Sequence, residues 1–171
     1  VELEGLMRRG GMGSVWRGRH LTLDVAVAVK FLPEGRVDEV RQRRFAREAQ
    51  VAAQIRSSNV VQVLDHGVDR GLPYIIMELL DGEDLSELLR RRGRLSLDET
   101  AFIVRHVARG LAQAHQAGLV HRDLKPGNIF LAREGDDIVP KILDFGVAKR
   151  LVTEVAAESE ATQEGMLLGT P

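Results

Sequence analysis

The sequence predicts an α+β fold in two lobes, a small β-rich lobe carrying one long helix and then a helix-rich lobe. Three observations carry that expectation. Apolar residues alternate along Asp24–Leu32, the period of a strand. They recur at three- and four-residue spacing over 38–56 and 97–117, the period of an amphipathic helix. Strands dominate before Glu78–Gly82 and helices after it, which divides the chain into 1–80 and 81–171.

Residues 1–35 read as strand, glycine turn, strand, strand. The turn is Gly10-Gly11-Met12-Gly13, and in the last strand Val25, Val27, Val29 and Phe31 face one way while Ala26, Ala28, Lys30 and Leu32 face the other. The helix over 38–56 places Phe45, Ala49, Ala52 and Ile55 on one face. Val60–Leu64 and Pro73–Leu80 read as strands around a turn at Asp69-Arg70-Gly71. A short helix is expected over Asp84–Arg92. A longer one runs from Leu97 to Ala117, with Ile103, Val107, Leu111 and Ala114 buried and Gly118 as its stop. Strands follow at Ile129–Leu131 and Val139–Leu143. Between Val152 and Gly165 there are four glutamates and neither a basic nor an aromatic residue, the composition of a mobile loop.

Composition narrows the function. The 171 residues are 44% hydrophobic and 29% charged, as in soluble globular proteins. Twenty-four basic against twenty-five acidic side chains leave −1, so no bulk field recruits nucleic acid or anionic lipid. With no cysteine there is no disulfide, thiolate site or cysteine nucleophile. No apolar run approaches the ~18–20 residues of a membrane span, so membrane contact is not visible and the expected location is cytoplasmic. Val1 at the start and Gly169-Thr170-Pro171 in mid-loop at the end suggest that both ends are cut. Only four of the basic residues are lysine, namely Lys30, Lys125, Lys141 and Lys149, which singles each of them out.

Several residues then assemble into a chemistry. Glycines between two strands leave backbone N–H groups facing an anion. Lys30 shares its strand face with Ala28, so a small side chain and an ammonium look into one space, as a flat ring with phosphates would require. Glu48 falls inside the apolar stripe of the 38–56 helix, where a carboxylate needs a cation, and Lys30 is available. The string His121-Arg122-Asp123-Leu124-Lys125-Pro126-Gly127-Asn128 brings a proton acceptor, an ammonium and an amide oxygen to one loop. Asp144-Phe145-Gly146 ends a strand and adds a second hard oxygen ligand, suited to Mg²⁺.

These elements, with Val27-Ala28-Val29-Lys30 and the Met77-Glu78 junction, resemble the eukaryotic-type protein kinases, and most closely their bacterial Ser/Thr branch. The resemblance covers essentially the whole chain in the family's order. It implies a protein-kinase-like fold, Mg-ATP (or Mn²⁺ as the ion) and phosphorylation of serine or threonine on proteins. By that resemblance Lys30 binds the α- and β-phosphates and pairs with Glu48, Asp123 is the catalytic base, and Lys125 contacts the γ-phosphate. Asn128 and Asp144 hold the metal. The loop Gly10, Gly11, Met12 and Gly13 covers the phosphates. Met7, Val15, Ala28 and Phe130 sandwich adenine, Met77 is the gatekeeper, and the backbones of Glu78 and Leu80 bind the adenine edge. Ala52, Val63, His121 and Phe145 stack as an internal spine, which makes His121 structural. The other histidines, His20, His66, His106 and His115, are scattered and none is read as a ligand. Thr170 would approach Asp123 and Lys125, and Arg122 would pair with phosphate on the acidic loop at Ser159, Thr162 or Thr153, placed there by the kinase itself.

The chain departs from the family's pattern in two ways. Arg8 stands where the family has its first loop glycine, adding bulk and a cation; Arg8→Gly is expected to improve nucleotide handling. The chain also stops before the family's Ala-Pro-Glu segment and later helices. Residues 1–171 alone are therefore expected to bind Mg-ATP weakly and to be inactive, with Ile103, Val107 and Leu111 left as an uncovered apolar patch. Two other readings stay open: a non-catalytic kinase-like module that binds nucleotide or a partner, and a small-molecule phosphotransferase of similar fold.

Overall fold

The computed structural model describes residues 1–10, 13–32 and 39–144, without the side chains of residues 39–42, 44 and 48. Expectations for Gly11, Met12, the Glu48 carboxylate, Phe145-Gly146, the acidic loop and Thr170 therefore lie outside the described residues.

The first three strands are β1 (Glu2–Gly10), β2 (Gly13–His20) and β3 (Val25–Phe31). Helix α1 (Glu39–Gln54) follows, then β4 (Val63–Asp69) and β5 (Leu72–Glu78). All five strands join one antiparallel sheet in the order β1-β2-β3-β5-β4. Both faces of β3 are covered. Val27 and Val29 pack with Ile76, Trp16, Phe31 and Tyr74, while Ala28 packs on the other side with Val61, Met77 and Val15. The β4–β5 hairpin closes through Arg70 and Gly71 at φ 49° and 83°, the paired left-handed conformation that suits the twist of a two-residue hairpin.

Strand β4 begins later than its apolar pattern suggested. Val60 and Val61 are buried but leave this sheet: Val60 forms a parallel bridge with Ile142, and Val61 N donates to the Ile142 carbonyl at 3.0 Å. The apolar run marked buried backbone paired with a different partner.

The second half holds β6 (Gly82–Asp84), α2 (Leu85–Arg92), α3 (Leu97–Gln116), a 3₁₀ turn at Pro126–Asn128, β7 (Ile129–Glu134) and β8 (Asp137–Ile142). Strands β6, β7 and β8 make a small antiparallel sheet. Asp84 caps α2 by accepting from Glu87 N at 2.9 Å, and Arg90, Arg91 and Arg92 sit at its carbonyl end, where the helix dipole favours cations. Helix α3 opens with a reciprocal capping box: Ser96 Oγ accepts from Glu99 N, and the Glu99 carboxylate accepts from Ser96 N. It ends at Gln116 with Ala117 as its C-cap, and Gly118 just beyond takes φ 76°.

One apolar cluster joins the two halves. Phe45, Ala52 and Ile55 meet Val60, Val63 and Ile75, and the same cluster continues through Leu85, Ile103, Val107 and Ile142. This corrects the expected patch on α3. Ile103 and Val107 are 6% and 7% exposed and Leu111 is partly buried, because β8 and the segment before β4 lie on that face. The large apolar side chains that α3 does expose are Leu97, Phe102 and Val104.

Candidate functional site

The cleft is built from both halves of the chain. Its roof comes from β1–β3: Met7, Val15 and Ala28 line a cavity of about 270 Å³. Met77, Glu78 and Leu80 form the back, and Phe130 of β7 the floor. Asn128 and Asp144 line it as well, so nine of the expected ligand-binding residues share one cavity wall. Val61, Leu79 and Leu143 complete the apolar lining and were not legible in the sequence. Their signal is tertiary, since Val61 reaches the cleft only because its backbone pairs with β8.

The roof depends on small residues. Gly10 pairs with Gly13 across the β1–β2 turn, and Gly13 takes φ 111°. A Cβ there would overlap the Phe31 carbonyl, so no larger residue fits.

Lys30 is 5% exposed on β3, and its Nζ lies 2.6 Å from Asp144 Oδ1. The ammonium and the proposed metal ligand therefore meet at the inner end of the cleft. The Glu48 carboxylate expected beside Lys30 lies outside the described residues.

The catalytic-loop string folds back on itself. Lys125 Nζ lies 2.9 Å from Asp123 Oδ2, and Asn128 Nδ2 donates to the Asp123 carbonyl at 2.8 Å. His121 is 2% exposed and locks the loop to the end of β8. Its Nδ1 accepts from Asp123 N at 3.3 Å, so Nε2 carries the proton donated to the Leu143 carbonyl at 2.7 Å. This fits the structural role expected of it. Arg122 and Asp144 both adopt left-handed backbone, φ 59° and 52°, although neither is glycine. Strain of that kind persists only where surrounding bonds hold it, and here it aims two carboxylates from separate loops.

Lys141 was singled out by the scarcity of lysine, but no motif assigned it a role. It is 5% exposed, and its Nζ is 3.0 Å from both carboxylate oxygens of Glu78 and 3.0 Å from Glu134 Oε1. Glu78 also accepts from Gln62 N at 2.8 Å. Burial lowers the Lys141 pKa, but the hydrogen bonds and charges of Glu78 and Glu134 outweigh it and hold the ammonium above its ordinary value. The back of the cleft is thereby tied to β8.

Comparison with known proteins decides the family. Residues 2–166 match the protein kinase domain model. The chain belongs to the protein kinase domain family. Kinase pkn3 of Myxococcus xanthus, named a serine/threonine-protein kinase, is 40% identical over 99% of this chain and 31% of its own length. Serine/threonine-protein kinase PknL of Mycobacterium tuberculosis is 42% identical over 94% of this chain and 39% of its own. The crystal structure of the PknI kinase domain from M. tuberculosis superposes with a TM-score of 0.74 at 32% identity, covering 85% of this chain and 58% of that one. The kinase chain thus spans a third to two fifths of these curated relatives.

Membership in the kinase family implies use of ATP with a divalent metal, and the residues fit such an ion. Asn128 commits its amide nitrogen to Asp123, which leaves the amide oxygen as the atom a hard cation would take, and Asp144 offers a carboxylate on the same cavity wall. The described residues contain no cluster of three or more His, Cys, Asp or Glu side chains suited to a metal. A two-oxygen site completed by phosphate and water suits Mg²⁺. No described helix is long and apolar enough to cross a membrane.

Proposed function

We propose that this chain is the nucleotide-binding and catalytic-loop part of a kinase that moves the γ-phosphoryl group of Mg-ATP onto serine or threonine hydroxyls of proteins. Residues 1–80 form its small lobe and 81–171 belong to its large lobe. The observation that carries the reading is one apolar slot lined by Asn128 and Asp144, with Lys30 paired to Asp144 and with Asp123, itself paired to Lys125, bonded to Asn128. Adenine lies between Met7, Val15 and Ala28 above and Phe130 below, with Met77 behind it and the backbones of Glu78 and Leu80 along its edge. Gly10, Gly11, Met12 and Gly13 cover the phosphates.

Lys30 binds the α- and β-phosphates and, with Glu48 as its second partner, is held at the inner end of the slot. Asp123 orients the attacking hydroxyl and accepts its proton as the oxygen–phosphorus bond forms and ADP departs. Lys125 neutralises charge on the transferring group. Asn128 and Asp144 would hold Mg²⁺, or Mn²⁺ in its place; bound there, the ion supplies charge neutralisation at the phosphates. Lys125, two residues after Asp123, favours serine and threonine substrates over a metabolite. The kinase itself is among the proposed substrates, at Ser159, Thr162 or Thr153. The location proposed for this domain is the cytoplasm.

The test is phosphate transfer from labelled ATP by the full-length protein, to casein and to a panel of aminoglycosides and choline. Casein labelling that falls by about 10³-fold or more in Asp123→Asn, with nucleotide binding retained, is the expected result. Binding without transfer to any acceptor would instead favour the non-catalytic module.

A further inference from the structure

Arg8 reaches across the cleft. In β1, Leu6 pairs with Trp16 and Arg8 with Val15, so Met7 is an extra residue in the strand. Neighbours in a regular strand point to opposite faces; this bulge lets Met7 and Arg8 both line the cavity. From there Arg8 Nη2 lies 2.7 Å from Asp84 Oδ2 and 3.3 Å from Glu87 Oε1, at the first turn of α2. The Asp84 side chain is only 4% exposed. It cannot swing away to water, because its other oxygen caps α2. The partners lie 76 and 79 residues apart and belong to the two opposing walls of the slot.

We propose that Arg8 is a strap that gates nucleotide exchange: its ion pairs with Asp84 and Glu87 close the mouth of the slot and must open for ATP to enter and for ADP to leave. This rests on the reading of the slot as the nucleotide site. A glycine at this position would have no side chain to span the gap, so the departure at Arg8 exchanges close backbone approach for a latch between the walls. The hydrogen bond that Arg8 donates to Asp84 raises the Arg8 pKa above its ordinary value. Arg8 is more than half exposed, and Glu87 nearly so, which keeps the pair weak enough to open.

A gate and a phosphate contact make opposite predictions. Losing a gate accelerates both entry and exit; losing a phosphate-binding cation slows entry and accelerates exit. Stopped-flow binding of 2-aminopurine riboside triphosphate with Mg²⁺ to the full-length protein separates them. Arg8→Met and Glu87→Gln should each raise the association and dissociation rates, Arg8→Met by about threefold or more, and the double variant should exceed Arg8→Met little. Slower association in Arg8→Met, or rates equal to wild type, would overturn the strap while leaving the nucleotide site standing. No binding by wild type or variants would overturn the nucleotide site and the strap with it.

Discussion

Lys141 changes what the back of the cleft is made of. Glu78 is held by an ammonium from β8 and by the Gln62 N–H, so the segment proposed to face the adenine edge is fixed from behind. Removing the ammonium would leave Glu78 and Glu134 partly buried without their cation. Because both carboxylates retain water contact, Lys141→Met should lower unfolding free energy by about 1–2 kcal/mol rather than the full penalty of a sealed pair. It should also raise KM for ATP while changing kcat little, measured by steady-state kinetics on the full-length protein; an unchanged KM with a lower melting temperature would mean the lysine only stabilises. The sign of its pH dependence follows from the raised pKa. That contribution is complete below the unfolded-state value near 10.5 and is lost as pH rises through the higher folded value. Residues of this kind mark the limit of sequence reading. Asp123, Lys125 and Asn128 were legible because their chemistry sits in one contiguous string. Lys141 and Glu78 are 63 residues apart and Arg8 and Asp84 76, with no local pattern announcing either pair.

At the scale of elements, periodicity found the helices and the stripe on α3 but could not say what covers it. The sequence reading assigned Ile103 and Val107 to helices beyond the chain, whereas β8 and residues 59–61 take that face. Their approach is close enough to need Gly110, where a Cβ would stand 2.7 Å from the Asn59 carbonyl and 2.9 Å from Ile142 Cδ1. Helix propensity alone makes Gly→Ala favourable by about 1 kcal/mol. Here Gly110→Ala should instead destabilise by about 1–3 kcal/mol in denaturant titration, because the Asn59 backbone is pinned by Ile142 N and by the Asn59 side-chain bond to Pro140. A stabilised variant would show that the two segments separate freely. The capping box gives a pH prediction. Hydrogen bonding to Ser96 N, and then Arg92, holds the Glu99 carboxyl below its ordinary value. Its stabilisation is therefore present above the unfolded-state value near 4.5 and is lost as pH falls through the lower folded value. The melting-temperature gap between wild type and Glu99→Gln should be clear at neutral pH and shrink in acid.

For the whole molecule, the two-lobed plan was legible because strand and helix periods separate cleanly along the chain, and the family's motifs stand in order on it. The continuous core was not legible: the cluster from Phe45 through Val60 to Ile142 joins both halves, so neither is expected to melt alone. That continuity bears on what residues 1–171 do as an isolated polypeptide. The loop carrying Asp123 is supported by His121, Asn128 and Leu143, all among the described residues, and the proposed nucleotide site draws on the same region. Phosphoryl transfer asks for more, since positioning and electrostatics supply nearly all of its acceleration and small misplacements are costly. Arg122 and Asp144 hold left-handed backbone that the surroundings must maintain, and the chain covers 58% of the PknI kinase-domain chain it matches. Residues 1–171 alone should therefore bind Mg-ATP weakly yet phosphorylate casein at least about 10³-fold more slowly than the full-length protein. With Ile103 and Val107 covered, the exposed apolar side chains to watch are Phe102 and Val104 on α3, and light scattering should report association that Phe102→Ser with Val104→Ser reduces. Casein kinetics at the full-length rate from a monomeric 1–171 would show that the described elements suffice to position Asp123.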